Sequence, residues 1–265
     1  TISNDGNTGG IVGKATNCII DNCISNVYVY NRQYGYTGGV VGYAENTQVT
    51  NCKKMNHVYA DHNFAGGIIG YMVGGKAENC IADGINVKPE DYAGGIVAYS
   101  EDGAEIKNCS LTGGYRIGAD NYAGGIAGYI TESVLIENCY SEGIIRATGM
   151  FAGGITGYAS DSTIENCYSE ALVSSGGNFA GGIAGEITGS SRISNCYAIC
   201  DDMYSGIRAE GMFAGGVTGY IYGGTVENSY STANVRGGRF IGGISGYLCS
   251  DSEGNKGKIT NCYST

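Results

Sequence analysis

Proline occurs once in 265 residues and tryptophan not at all. A chain with almost no proline keeps nearly every backbone N–H as a donor, which suits a structure made of continuous ladders. No window carries apolar residues at i, i+3, i+4 and i+7, so helices are not expected. No run of 18 apolar residues exists, so nothing reads as a membrane-spanning helix or as a segment inserted directly in a bilayer. Basic residues are few, 15 against 25 acidic, for a net charge of −10, and they read as scattered. That speaks against nucleic acid as a partner, because phosphate neutralisation needs clustered Lys and Arg. It also argues against anionic lipid. No Cys-x-x-Cys spacing occurs, which speaks against a thiolate zinc site.

What the chain has in abundance is glycine, 48 residues, without the Gly-X-Y period of collagen. Its 42% hydrophobic content is too high for a disordered low-complexity chain. A Gly-Gly pair followed by Ile or Val begins at Gly9, Gly38, Gly66, Gly94, Gly124, Gly153, Gly181, Gly215 and Gly242. The successive intervals are 29, 28, 28, 30, 29, 28, 34 and 27 residues. A period of that size marks units that bury their apolar faces only by stacking on one another.

Other columns keep the same phase. Asn recurs at Asn22, Asn51, Asn79, Asn108, Asn138, Asn166, Asn195, Asn228 and Asn261. The next position holds Cys23, Cys52, Cys80, Cys109, Cys139, Cys167 and Cys196, then Ser229, then Cys262. An aromatic precedes the glycines at Tyr36, Phe64, Tyr92, Tyr122, Phe151, Phe179, Phe213 and Phe240. After the Cys the residues alternate: Cys167, Ser169, Ala171 and Val173 on one face, Tyr168, Glu170 and Leu172 on the other. These patterns predict an all-β chain folded as a right-handed parallel β-helix, a β-solenoid of nine coils of about 29 residues. Each coil has room for about three short strands, and the rod should be about 45 Å long. Asn amides should bond from coil to coil as structural ladders, and Asn should bend the chain between strands. The Cys column should fill the core as reduced thiols. A repetitive β-sandwich or propeller is the alternative, but neither gives one Asn and one Cys column through every repeat. Residues 1–265 read as a single repeat domain. Because both ends fall partway through a repeat, they also read as a fragment of a longer protein.

The unit Gly-Gly-Ile-x-Gly-Tyr, then a turn and Ile-x-Asn-Cys-Tyr-Ser, resembles the GLUG repeat. Gly67-Ile68-Ile69-Gly70, Gly125-Ile126-Ala127-Gly128, Gly154-Ile155-Thr156-Gly157 and Gly243-Ile244-Ser245-Gly246 carry its core. The resemblance implies bacterial surface or secreted proteins, including adhesins and the non-catalytic regions of IgA1-specific zinc metallopeptidases. Departures are Lys14 and Glu186 in place of Tyr, Ala98 in place of the second core Gly, and Ser229 in place of Cys. The His-Glu-x-x-His zinc signature is absent, so peptidase activity does not carry over.

Candidate chemistry is sparse. His57 and His62 flank Asp61, but their i, i+5 separation puts them on opposite faces of a strand. Glu137, Glu142, Glu165 and Glu170 form an acidic cluster that could bind calcium or serve as a glycosidase pair, or could be a solvated face. Outward tyrosines Tyr140, Tyr168, Tyr197, Tyr230 and Tyr263 could stack on sugar rings or anchor a protein. Two insertions depart from the period. One holds Cys200, Asp201, Asp202 and Met203; the other holds Cys249, Asp251 and Glu253. If both leave one edge of the rod, they form one irregular binding patch with Tyr197 and Tyr230. Cys200 and Cys249 could also bridge. The leading expectation is a non-catalytic adhesion or stalk module, extracellular on a bacterial cell surface or secreted, that binds a host protein or glycan. It needs no cofactor, metal or catalytic residue. A polysaccharide-processing enzyme on a β-helix is the alternative, and ice binding fails for want of a Thr column.

Overall fold

Each repeat closes into one coil of five short strands. The computed structural model describes residues 2–4, 6–113, 115–200 and 206–265. One coil shows the plan: Arg116–Ala119, Tyr122–Gly124, Ala127–Ile130, Leu135–Glu137 and Tyr140–Ser141. These positions define a first to a fifth sheet, each nine strands long. All strand pairs are parallel and join residues one repeat apart, so every sequence column becomes a ladder. The chain is an all-β solenoid of nine coils, with no helix among the described residues.

Five strands stand where three were expected, and three of the breaks between them have a visible device. The nine Asn of the repeat all sit in the left-handed region, at φ 49 to 54°, where Asn is tolerated and most residues are strained. A second left-handed corner precedes the fourth sheet, at Asn17, Asn46, Asp102 and Asp161 among others. The third device is the glycine pair. A Cβ on its second member would lie 2.0 Å from the Gly125 carbonyl at Gly95, and 2.1 Å from the Gly182 carbonyl at Gly154. Close approach between coils therefore demands glycine there.

The core is a stack of small and β-branched columns. Ile68, Ile96, Ile126, Ile155 and Ile183 are fully buried, as are Ile106, Ile136 and Ile193. Cys52, Cys80, Cys109, Cys139, Cys167 and Cys196 are buried to 1% exposure or less, and none of the eleven cysteines is in a disulfide. The column also serves the corner backbone. The Cys139 N–H donates to Cys167 Sγ at 3.3 Å, Cys167 N–H to Cys196 Sγ at 3.4 Å, and Cys196 N–H to Ser229 Oγ at 3.1 Å. The position thus needs a small side chain that accepts and donates, and Ser229 does both, its hydroxyl also donating to the Glu227 carbonyl at 2.8 Å. Burial pushes the Cys109 and Cys167 thiols up, away from the thiolate.

The expected Asn ladder is weaker than the Cys column. Asn51, Asn79, Asn108, Asn138, Asn166 and Asn195 are all exposed. Side-chain bonds join Asn79 to Asn51 at 3.2 Å, Asn195 to Asn166 at 3.3 Å and Asn261 to Asn228 at 3.2 Å. Asn is kept for its backbone conformation more than for its amide.

Candidate functional site on the outer tyrosine row

The alternation that follows Cys167 holds across the corner between the fifth and first sheets. Ser169, Ala171 and Val173 are buried, whereas Tyr168 and Leu172 are partly exposed and Glu170 is exposed. The outward column of the fifth sheet is Ile24, Lys53, Ile81 and Ser110 in the first coils, then Tyr140, Tyr168, Tyr197, Tyr230 and Tyr263. Ring centroids along this row are 4.5, 5.0, 5.0 and 4.9 Å apart, and the last three pairs are nearly coplanar in orientation, at 14°, 7° and 6°. The rings therefore stack on one another and cover each other's faces. What the row presents outward is ring edges and hydroxyls, not the open faces a stacking sugar would need. Tyr140 donates its hydroxyl to Glu142 at 2.8 Å and to Glu170 at 3.2 Å. The hydroxyls of Tyr168, Tyr197, Tyr230 and Tyr263 take no partner among the described residues. Four open phenol groups thus stand in line at the coil spacing.

The acidic cluster is divided and engaged. Glu137 pairs with Lys107 at 3.5 Å and Glu165 with Arg192 at 3.8 Å, on the fourth sheet. Glu142 and Glu170 lie beyond the fifth sheet, on the Tyr140 hydroxyl, and Glu142 also accepts the Gly113 N–H. Among the described residues no group of three or more His, Cys, Asp or Glu is placed to hold a metal. The histidines separate: His57 Nδ1 accepts the Asn86 N–H at 3.0 Å, and His62 stacks on Tyr34 at 4.3 Å. Asp61 accepts the Tyr30 hydroxyl at 2.7 Å.

The two insertions do not share an edge. The first falls between Tyr197–Ala198 of the fifth sheet and Ile207–Ala209 of the first; Asp201 and Asp202 lie outside the described residues. The second falls between Ser245–Cys249 of the third sheet and Lys258–Thr260 of the fourth. There Asp251 caps its own turn, accepting the N–H groups of Glu253 at 3.0 Å and Asn255 at 2.8 Å. The Asn255 side chain, first among these bonds, holds the Asp251 carboxyl below the usual range. Glu253 is exposed beside it. The described strands that flank the two insertions thus lie at different corners, because a coil releases a loop at whichever corner it interrupts. No disulfide joins Cys200 to Cys249, and their corners differ.

The basic residues are less scattered than they read. Lys88, Arg146, Arg208 and Arg236 share one outward column of the first sheet, with Arg116 beside it. Gly118 and Ser174 interrupt that column. A hollow of about 440 Å³ opens at Gly118, lined by Tyr59, Lys88, Arg116, Asp120 and Arg146 among others. A stride of about 29 residues between column members hides such a row from a linear reading. Lys54 carries no signal in the sequence either. It is fully buried, its Nζ donates to Ser25 Oγ at 3.2 Å and to the Val27 carbonyl, and burial lowers its ammonium to about 8.

Stacked parallel strands, in-register ladders and an unbroken Gly-Gly column define a repeat β-solenoid module. The GLUG motif matches residues 33–53 and 91–117. A crystal structure of a proposed immunoglobulin A1 protease from Bacteroides ovatus is similar in fold. The two align with a TM-score of 0.56 at 24% identity, over 79% of this chain and 69% of that one. No curated protein sequence matches the chain.

Proposed function

We propose that this chain is a non-catalytic binding module of a bacterial surface or secreted protein, and that its fifth-sheet tyrosine row holds a linear glycan along the rod axis. One observation carries the reading: the hydroxyls of Tyr168, Tyr197, Tyr230 and Tyr263 stand in line, unpartnered among the described residues, on rings about 5.0 Å apart. That repeat is close to the advance of one sugar in an extended polysaccharide, so successive hydroxyls meet successive residues. Phenol groups donate and accept, as sugar hydroxyls do. The adjoining basic column favours sugars that carry carboxylate or sulfate. Of the acidic cluster a glycosidase would draw on, Glu137 and Glu165 pair with Lys107 and Arg192, and Glu142 and Glu170 accept the Tyr140 hydroxyl, which favours the binding reading over the enzyme one. GLUG repeats in general, and the fold shared with the Bacteroides protein, support a modular role.

The test is a panel of neutral and acidic polysaccharides titrated by calorimetry into wild type and a triple variant, Tyr168→Phe, Tyr197→Phe and Tyr230→Phe. The variant keeps the ring stack and removes only hydroxyls. Affinity should fall at least about tenfold with the melting temperature unchanged. Equal affinity in the triple variant, or no binding by any member of the panel, overturns the reading.

A further inference from the structure

The outward column of the third sheet reads Lys14, Tyr43, Tyr71, Tyr99, Tyr129, Tyr158, Glu186, Tyr220 and Tyr247. Its rings stack at 4.8 Å for Tyr71–Tyr99, 4.9 Å for Tyr99–Tyr129 and 4.7 Å for Tyr129–Tyr158, then resume at 5.4 Å for Tyr220–Tyr247. Glu186 is a missing rung. The neighbouring second-sheet column runs past it unbroken, with Phe151–Phe179 at 4.7 Å and Phe179–Phe213 at 5.3 Å. The vacancy leaves a hollow of about 300 Å³ lined by Phe179, Glu186, Phe213, Tyr220 and Tyr222. One face of Tyr220 is covered by Tyr247, nearly parallel at 4°; its other face looks toward the Glu186 rung.

Glu186 has no hydrogen bond or ion pair among the described residues. Burial pushes its carboxyl up to about 7. The titratable groups nearest it are phenols, Tyr158, Tyr220 and Tyr222, with Cys249 behind the Tyr220 hydroxyl at 3.3 Å. No cationic side chain among the described residues pairs with it. A half-buried carboxylate without a partner is costly, and a cation would relieve that cost. Ring faces carry negative potential and attract a cation too. The column already makes this contact once: Lys14 Nζ lies 4.9 Å from the Tyr43 ring centroid, at the rung that follows it.

We propose that the Glu186 hollow is a binding site for an alkylammonium group, its charge held by the Glu186 carboxylate and its methyl or methylene surface by Tyr220, Phe179 and Phe213. An anion is repelled by the same walls, and a neutral group of the same shape loses the charge contact. This site is separate from the tyrosine row and does not rest on it.

The experiment titrates the intact chain with choline, with lysine methyl ester, and with 3,3-dimethyl-1-butanol, the uncharged isostere of choline, following ring signals by NMR. Wild type should bind one or both cations at least about tenfold more tightly than the isostere. Preference for choline marks a small-molecule source, and preference for the lysine ester marks a peptide side chain. Glu186→Gln should lose about tenfold, and Glu186→Tyr, which restores the rung, should abolish binding. Tyr197→Ala should leave it unchanged, which separates this result from the glycan reading. Binding by Glu186→Gln within twofold of wild type, equal binding of the isostere, or no saturable response to either cation overturns the proposal.

Discussion

Two columns of outward tyrosines run along this rod, and they differ in what covers them. The third-sheet rings are clamped edge to face by the second-sheet aromatics: Tyr122 meets Tyr129 at 5.2 Å and 81°, and Phe151 meets Tyr158 at 5.5 Å and 75°. Their hydroxyls are partly engaged as well. Tyr71 donates to Glu101 at 2.8 Å, and Tyr158 shares a hydrogen bond with Thr188 at 3.0 Å. The fifth-sheet rings stack only on one another, and four of their hydroxyls are open. One residue type with one period thus serves packing in one column and presentation in the other. The difference comes from the neighbouring sheet. The glycine pair lets the second and third sheets approach closely enough for their aromatics to interlock, and no such pair joins the fifth sheet to its neighbours.

The largest effect should follow from breaking that approach. Gly153→Ala places a Cβ 1.9 Å from the Thr156 carbonyl, where the second sheet turns into the third. A cost of about 3 kcal/mol or more is expected in denaturant melts; a change within error would remove the close-approach argument. Next comes the clamped column itself. Tyr129→Ala deletes a ring stacked on Tyr99 and Tyr158 and edged by Tyr122, and should cost about 3 kcal/mol.

A pH series sharpens the comparison at the one rung of the clamped column that carries a carboxylate. Folding raises the Glu186 carboxyl from its ordinary value of 4.5 to about 7. The folded state then holds its proton where the unfolded state has released it. The stability this contributes is full below about 4.5 and is lost as pH rises to about 7. The loss should be about 2 kcal/mol, allowing for partial exposure. Glu186→Gln should remove that slope; equal slopes in the two proteins would sink the assignment.

Smaller still is the corner. Asn166 is exposed and sits at φ 54°, so Asn166→Ala should cost about 1 kcal/mol and Asn166→Gly close to nothing. Equal losses in both variants would restore the amide ladder as the main cause. The smallest stability change belongs to the open column. Tyr197→Ala should cost about 1 kcal/mol or less, and a loss matching that of Tyr129→Ala would erase the distinction between the columns.

Much of the fold is legible in the sequence because a solenoid turns sequence period into contact directly. A residue's neighbours are its own equivalents one coil away, so the Cys and aromatic columns are visible as columns from their spacing alone. The alternation at Cys167, Ser169, Ala171 and Val173 shows which face is buried. Ring stacking in the fifth-sheet row is legible for the same reason, whereas the open hydroxyls along it are not.

Spacing along the chain was enough to set the repeat, the register, the inward and outward faces, and the residues of the tyrosine row. How columns meet sideways emerged only on folding. Folding divided each coil into five strands and put the two insertions at different corners. It tied Glu137 and Glu165 to basic residues, and gathered Lys88, Arg146, Arg208 and Arg236 on one face. It also made the Glu186 rung a hollow instead of a plain gap, because Phe179 and Phe213 continue beside it. The physical reason is the same each time. Spacing fixes which residues stack, but the angle at each corner fixes which stacks touch, and that angle depends on backbone conformation and close contacts across coils.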